Sequence, residues 1–189
     1  MIKPFAFTGA KKIVFGRGAF DGLAEQVADL KGVRPFCVVD PALAAAGLAD
    51  RLKGRLEQAG LEPVLFDRAE AEPRLELADE GAKAALKAKC DLVVGIGGGS
   101  AMDLAKAVAI VAANRGKAAD YLGLNQVPGP GLPTILVPTT AGTGSEVTFT
   151  AVFVRKNLKK KEGMNSPYLY PDVALLDPLL TLSLPPKAT

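Results

Sequence analysis

Histidine and tryptophan are missing from this 189-residue chain, and cysteine occurs only twice. Without an imidazole, no Ser-His-Asp triad, Cys-His dyad or histidine-bearing metal site can be built from these residues alone. Cys37 and Cys90 form no CxxC pair and read as buried small apolar residues in a reducing compartment. The single Gly-Lys pair, Gly116-Lys117, is followed by Ala118 where a Walker P-loop needs Ser or Thr. No apolar run approaches the ~18 residues of a membrane helix. Lys3-Pro4 leads into short alternating Phe positions instead of the apolar core of a signal peptide. A cytoplasmic location without membrane contact is therefore expected. A strong charge of one sign is also lacking: 23 Lys and Arg against 20 Asp and Glu leave +3, too small a surplus to predict a nucleic-acid surface.

What is present is a well-buried globular composition, 49% hydrophobic and 23% charged, in a length that suits one domain. Residues 5–15 alternate around Gly9-Ala10 as a hairpin or bent edge strand would, and Gly16-Arg17-Gly18 stops the pattern. Phe20, Leu23, Val27 and Leu30 then recur at helical steps. The run Phe36-Cys37-Val38-Val39 ends in Asp40 and reads as a buried parallel strand. Leu48, Leu52 and Leu56 mark a helix that Gly60 ends, and Val64-Leu65-Phe66 is another short strand. Residues 73–89 form an amphipathic helix with acids early and lysines late, matching the helix dipole. The strand at 91–96 runs into Gly97-Gly98-Gly99-Ser100, and residues 101–114 make a nearly all-apolar helix that must be buried on most sides. Residues 115–133 are a surface loop or covering segment. Strands or extended segments follow at 134–137, 147–154 and 173–176. This alternation predicts an α/β fold: a Rossmann-like parallel sheet flanked by helices, with an edge hairpin. Apolar residues still arrive as the chain passes Pro185-Pro186 and stops at Thr189, which predicts truncation.

Strand, glycine cluster, Ser, then helix is an arrangement for binding an anion. Glycines at 97, 98 and 99 let backbone N–H groups approach a phosphate, and a helix starting near Ser100 aims its positive end there. The bland alternative is a tight turn without a ligand. The pattern is not the GxGxxG fingerprint, because position 100 is Ser and the strand comes late in the chain. Asp40 is placed to accept from an adenosine ribose 2′-OH and to repel a 2′-phosphate, which favours NAD over NADP. Alternatively it is a turn carboxylate opening the helix at Pro41. Residues 138–146, Pro-Thr-Thr-Ala-Gly-Thr-Gly-Ser-Glu, bring four hydroxyls and two glycines to a sheet edge where α/β folds bind ligands. The basic run Arg155, Lys156, Lys159, Lys160 and Lys161 has no interleaved aromatics and reads as a solvated hairpin tip. Tyr168 and Tyr170 lack a Lys four residues on, so a Tyr-Lys dehydrogenase pair is absent and both are expected to pack beside their prolines.

Gly97-Gly98-Gly99-Ser100-Ala101-Met102-Asp103 and residues 138–146 together resemble the two signatures of the iron-containing (group III) alcohol dehydrogenase family. So do residues 15–19, the stretch 166–174 and Asp177-Pro178. The resemblance implies a dehydroquinate-synthase-like N-terminal domain in which residues 1–189 bind the dinucleotide. The family's metal is held by one Asp and three His of a C-terminal helical domain, which this chain lacks. Carried over position by position, Gly97, Gly98, Gly99 and Ser100 resemble the pyrophosphate cradle, Asp40 the ribose ligand and Asp103 a residue near the nicotinamide. Thr139, Thr140 and Thr143 would line the adenine and ribose pocket, and Lys161 would touch the nicotinamide ribose.

The resemblance implies an NAD-dependent oxidoreductase that exchanges a hydride with a small or primary alcohol or an aldehyde, with NADP a poorer cofactor. Fe2+ or Zn2+ is expected only with the missing domain. This chain alone is expected to bind cofactor without turnover, and a homo-oligomer is possible. A nucleotide-binding module or subunit with no activity of its own remains the alternative.

Overall fold

The computed structural model describes residues 4–155, 158–182 and 184. Its centre is a six-stranded sheet in which every neighbouring pair is parallel. From one edge to the other the strands are β1 (Lys12–Phe15), β9 (Val173–Leu176), β6 (Thr134–Pro138), β4 (Leu92–Gly97), β2 (Pro35–Val39) and β3 (Val64–Phe66). Val94 stands opposite Cys37 on one side and Ile135 on the other, so the three central strands are in step.

Side chains alternate across this sheet and both faces are covered, which is why the strands read as continuous apolar runs. Phe36, Val38, Val93 and Leu136 enter the core shared with α4 (Glu76–Lys87) and α5 (Gly99–Ala113). Cys37, Val39, Leu92, Val94, Ile96, Ile135 and Val137 enter the core on the opposite face, with α1 (Leu23–Asp29) and α3 (Leu48–Gln58). Burial of each large apolar side chain here stabilises the fold by roughly 1.5–3 kcal/mol. The short helix α2 (Pro41–Ala45) follows β2 directly. At Gly95 the sheet meets α5 so closely that a Cβ would stand 2.6 Å from that of Ala105.

A second, three-stranded sheet covers the outer side of α5: β5 (Gly123–Leu124), β8 (Lys160–Asn165) and β7 (Thr150–Arg155), with β7 and β8 antiparallel. The covering segment at 115–133 thus contributes a strand of its own.

Two expectations are corrected. Of the two readings of residues 5–15, the edge strand holds and the hairpin around Gly9-Ala10 does not form. Residues 12–15 make one edge strand paired in parallel with β9, and the alternating Phe5, Phe7 and Phe15 are exposed. A hairpin forms instead at β7–β8, and the basic run lies at its tip as far as the described residues extend; Lys156 lies outside them. The helix expected from residue 73 begins at Glu76, because the Val154 N–H donates to the Pro73 carbonyl (2.9 Å) and Arg74 bridges to β7.

Candidate functional site

The turn from β4 into α5 sits at the C-terminal edge of the central sheet. Gly97 leaves the strand at φ +146°, a conformation that residues with a side chain rarely adopt. Gly98 is the N-cap and no side chain caps α5. The first-turn N–H groups, those of Gly99, Ser100 and Ala101, therefore have no acceptor within the helix, and its partial positive charge is concentrated there. A Cβ on Gly98 would stand 3.5 Å from Thr140 Cγ2, and one on Gly99 would stand 3.2 Å from Thr143 Cγ2. The glycines leave a shallow cradle between the helix end and the hydroxyl-rich turn after β6.

That turn is pinned to the cradle. The buried Thr139 donates its N–H to the Gly97 carbonyl (2.9 Å). Among the described residues Thr140 Oγ1 and Glu146 Oε2 are buried without a hydrogen-bond partner. Both residues line a pocket of about 320 Å³ bounded also by Pro178 and Thr181. Unsatisfied buried polar atoms are costly, so two beside one pocket suit a ligand that supplies the missing donors. Asp40, at the end of β2, realises the turn reading: its carboxylate accepts from the Ala42 N–H (2.8 Å) and caps α2. It also stands beside the cradle, since a Cβ on Gly97 would lie 3.4 Å from its own.

A larger cleft, about 410 Å³, opens on the other side of the cradle. Gly99, Ser100 and Asp103 form its α5 wall, and Thr150, Val152 and Lys161 the wall contributed by the small sheet. Lys161 pairs with Glu72 at 2.6 Å, with more than half of each side chain exposed. Asp103 is more deeply engaged. It accepts from the Val152 N–H (2.9 Å) and the Ser145 hydroxyl, and pairs with Lys106 at 3.2 Å. Lys106 itself is buried; burial pushes its pKa down, while Asp103 and Glu146 pull it back up.

The structure thus brings Asp40, Gly97, Gly98, Gly99, Ser100, Thr139, Thr140 and Thr143 to one sheet edge, with Asp103 one turn further along α5. Lys161 faces them from β8. Lys106, Glu72 and the buried carboxylate of Glu146 were not singled out by the sequence reading. Lys106 does carry a signal there, as a lone cation inside a nearly all-apolar helix. Tyr170 stacks against Phe149 with ring centroids 5.8 Å apart, whereas Tyr168 is half-exposed. Cys37 and Cys90 are buried free thiols, and burial pushes Cys90 up to about 11. Among the described residues no group of three or more Cys, Asp or Glu could hold a metal ion, and no helix is long and apolar enough to cross a membrane.

Comparison with known proteins decides the family, because the iron-containing alcohol dehydrogenase profile matches residues 10–178. The chain belongs to the iron-containing alcohol dehydrogenase family. It is 40% identical over 185 residues to a sulfoacetaldehyde reductase of Bilophila wadsworthia, covering 98% of this chain and 48% of that protein. A long-chain-alcohol dehydrogenase of Geobacillus thermodenitrificans is 41% identical, covering 92% of this chain and 44% of the relative. The fold superposes on a crystal structure of 1,3-propanediol oxidoreductase with TM-score 0.94 and 32% identity, over 99% of this chain and 49% of that one. A sulfoacetaldehyde reductase from Bifidobacterium kashiwanohense, in complex with NAD+, superposes at TM-score 0.91 and 34% identity, over 98% and 49%. The chain spans about half the length of these relatives.

Proposed function

We propose that this chain is the dinucleotide-binding domain of a cytoplasmic, NAD-dependent alcohol dehydrogenase or aldehyde reductase. The observation that carries the reading is the uncapped start of α5, with glycines closely faced by Thr140 and Thr143 and Asp40 beside them. The N–H groups from Gly98 to Ala101 would hold the pyrophosphate, and Asp40 would accept from the adenosine ribose through the oxygen not occupied by Ala42. Thr139, Thr140 and Thr143 would line the adenine and ribose side, where the unpartnered Glu146 carboxylate offers an acceptor to a donor on the ligand. The nicotinamide end would lie in the 410 Å³ cleft, beside Asp103 and with Lys161 against its ribose. Bound there, the nicotinamide supplies the hydride acceptor or donor for an alcohol or aldehyde of small size.

Iron or zinc does not fit the described residues, which bring no three Cys, Asp or Glu side chains together as ligands. A developing alkoxide needs an electrophile or a base beside it. The chain on its own is therefore expected to bind cofactor without turnover.

Calorimetric titration with NADH, NADPH and AMP tests the reading. NADH should bind more tightly than NADPH, and AMP should compete weakly. Gly98→Asp sets a carboxylate against the pyrophosphate and should weaken NADH binding at least about tenfold, the equivalent of losing one charged hydrogen bond of ~1.5 kcal/mol. A folded Gly98→Asp protein that binds NADH undiminished would place the site elsewhere.

A further inference from the structure

Strand β7 lies at the edge of the small sheet, with β8 on one side only. The backbone groups on its other side need partners. They find them in side chains of α5 and in a loop carbonyl. The Thr150 carbonyl accepts from Lys106 Nζ (2.5 Å), the Val152 N–H donates to Asp103 Oδ2 (2.9 Å), and the Val154 N–H donates to the Pro73 carbonyl (2.9 Å). Asp103 and Lys106, one helical turn apart, present an acceptor and a donor where a neighbouring strand would. Lys106 Nζ also donates to the Ser145 carbonyl (2.9 Å) and to Thr148 Oγ1 (3.2 Å), so all three of its protons are used and the Asp103 carboxylate balances its charge.

A buried ammonium is expensive, and its neighbours on α5, Leu104, Ala105, Ala107 and Val108, are apolar. A methionine would fill the same volume without that cost. The feature that justifies an amine is the set of oxygens it gathers, on the turn after β6 and at the start of β7.

We infer that Lys106 is a positioning residue: with Asp103 it caps the open edge of β7 and so fixes the small-sheet wall of the cleft against the start of α5. Thr150 and Val152 sit on that wall directly. Lys161 is carried by it, since it stands opposite Val154 in the β7–β8 register. The tie itself is independent of any ligand; its effect on a cofactor rests on the proposed function.

The test compares Lys106→Met and Lys106→Gln with the unaltered 189-residue chain, by amide hydrogen exchange without ligand and by NAD+ titration. In Lys106→Met the Val152 amide should exchange at least tenfold faster, while amides of β4 and β6 keep their protection. NAD+ affinity should fall at least tenfold. Lys106→Gln retains a donor for one carbonyl and should fall between the two. Adding Asp103→Asn to Lys106→Met removes the carboxylate left unbalanced while an amide oxygen can still accept from Val152, so the Val152 amide should exchange no faster in the double variant than in Lys106→Met alone; a purely space-filling role predicts additive increases. A Val152 amide that stays protected in Lys106→Met overturns the inference, as does loss of protection throughout the molecule in both single variants. If the unaltered chain binds no NAD+, the proposed function fails while the exchange result still judges the tie.

Discussion

On the α5 side of the cleft the wall begins in backbone: Gly99 and Ser100 open the helix just after Gly97 and Gly98 turn out of β4, and the helix end stands uncapped on an apolar base. On the small-sheet side the wall is held by charge, through Lys106 with Asp103 from within and Glu72 with Lys161 at the rim. The first wall has little slack at Gly99, where an added Cβ would stand 3.2 Å from Thr143 Cγ2. The second depends on its buried tie, Lys106 with Asp103, far more than on the exposed pair at its rim. A ligand bound between them would meet a rigid surface on one side and an adjustable one on the other.

The largest effect is expected where packing is closest. Gly95→Val places methyl groups where even a Cβ would lie 2.6 Å from Ala105 and 2.9 Å from Leu136, and should lower the unfolding free energy by about 3 kcal/mol in a denaturant titration. A loss under about 1 kcal/mol would mean that α5 shifts freely on the sheet.

A charge-held element is tested at Asp177, buried just after β9. Its carboxylate accepts from the N–H groups of Leu179 (3.0 Å), Gly18 (3.0 Å) and Phe20 (3.2 Å). Burial pushes its pKa up, but those three donors and nearby Arg51 pull it below the ordinary carboxylate value. A pKa lowered on folding contributes stability that is present above the unfolded-state value of about 4 and is lost as pH falls through the lowered one. Asp177→Asn should cost about 2 kcal/mol at neutral pH, with a flatter stability profile below pH 4 than the unaltered chain. Parallel acid limbs in the two proteins would contradict this assignment.

Asp40→Gly sharpens the comparison at the cofactor. Removing the carboxylate should narrow the NADH over NADPH preference by about tenfold, roughly 1.4 kcal/mol, in paired titrations. The smallest effect belongs to Glu72→Gln. An exposed ion pair contributes about 0–1 kcal/mol, so thermal stability should be unchanged within about 1 kcal/mol, and the salt dependence of NADH binding should steepen as Lys161 loses its partner.

The order of helices and central strands was legible because each strand is a short apolar run buried on both faces and each is punctuated by glycine or proline. The glycine cradle was legible for the same reason, since its geometry is local to four consecutive residues. At residues 5–15 the edge-strand alternative holds and the hairpin does not, because Phe5 and Phe7 before β1 and Phe15 at its end are exposed, and alternation alone does not say which face is covered. The start of α4 was misplaced because the Pro73 carbonyl is claimed by Val154, a partner 81 positions away that no local pattern reveals. Lys106 and Glu72 escaped for a related reason. Their partners come from the turn after β6 and from the two strands of the hairpin, and only folding brings those oxygens and that ammonium within reach.

The central claim, that the uncapped start of α5 binds a dinucleotide pyrophosphate, is tested most directly by amide-resolved NMR of the chain titrated with NAD+. The largest shifts are expected at the amides of Gly98, Gly99 and Ser100, with the 139–143 turn next and strand β3 unmoved. Saturable binding that leaves those three amides unshifted would contradict it.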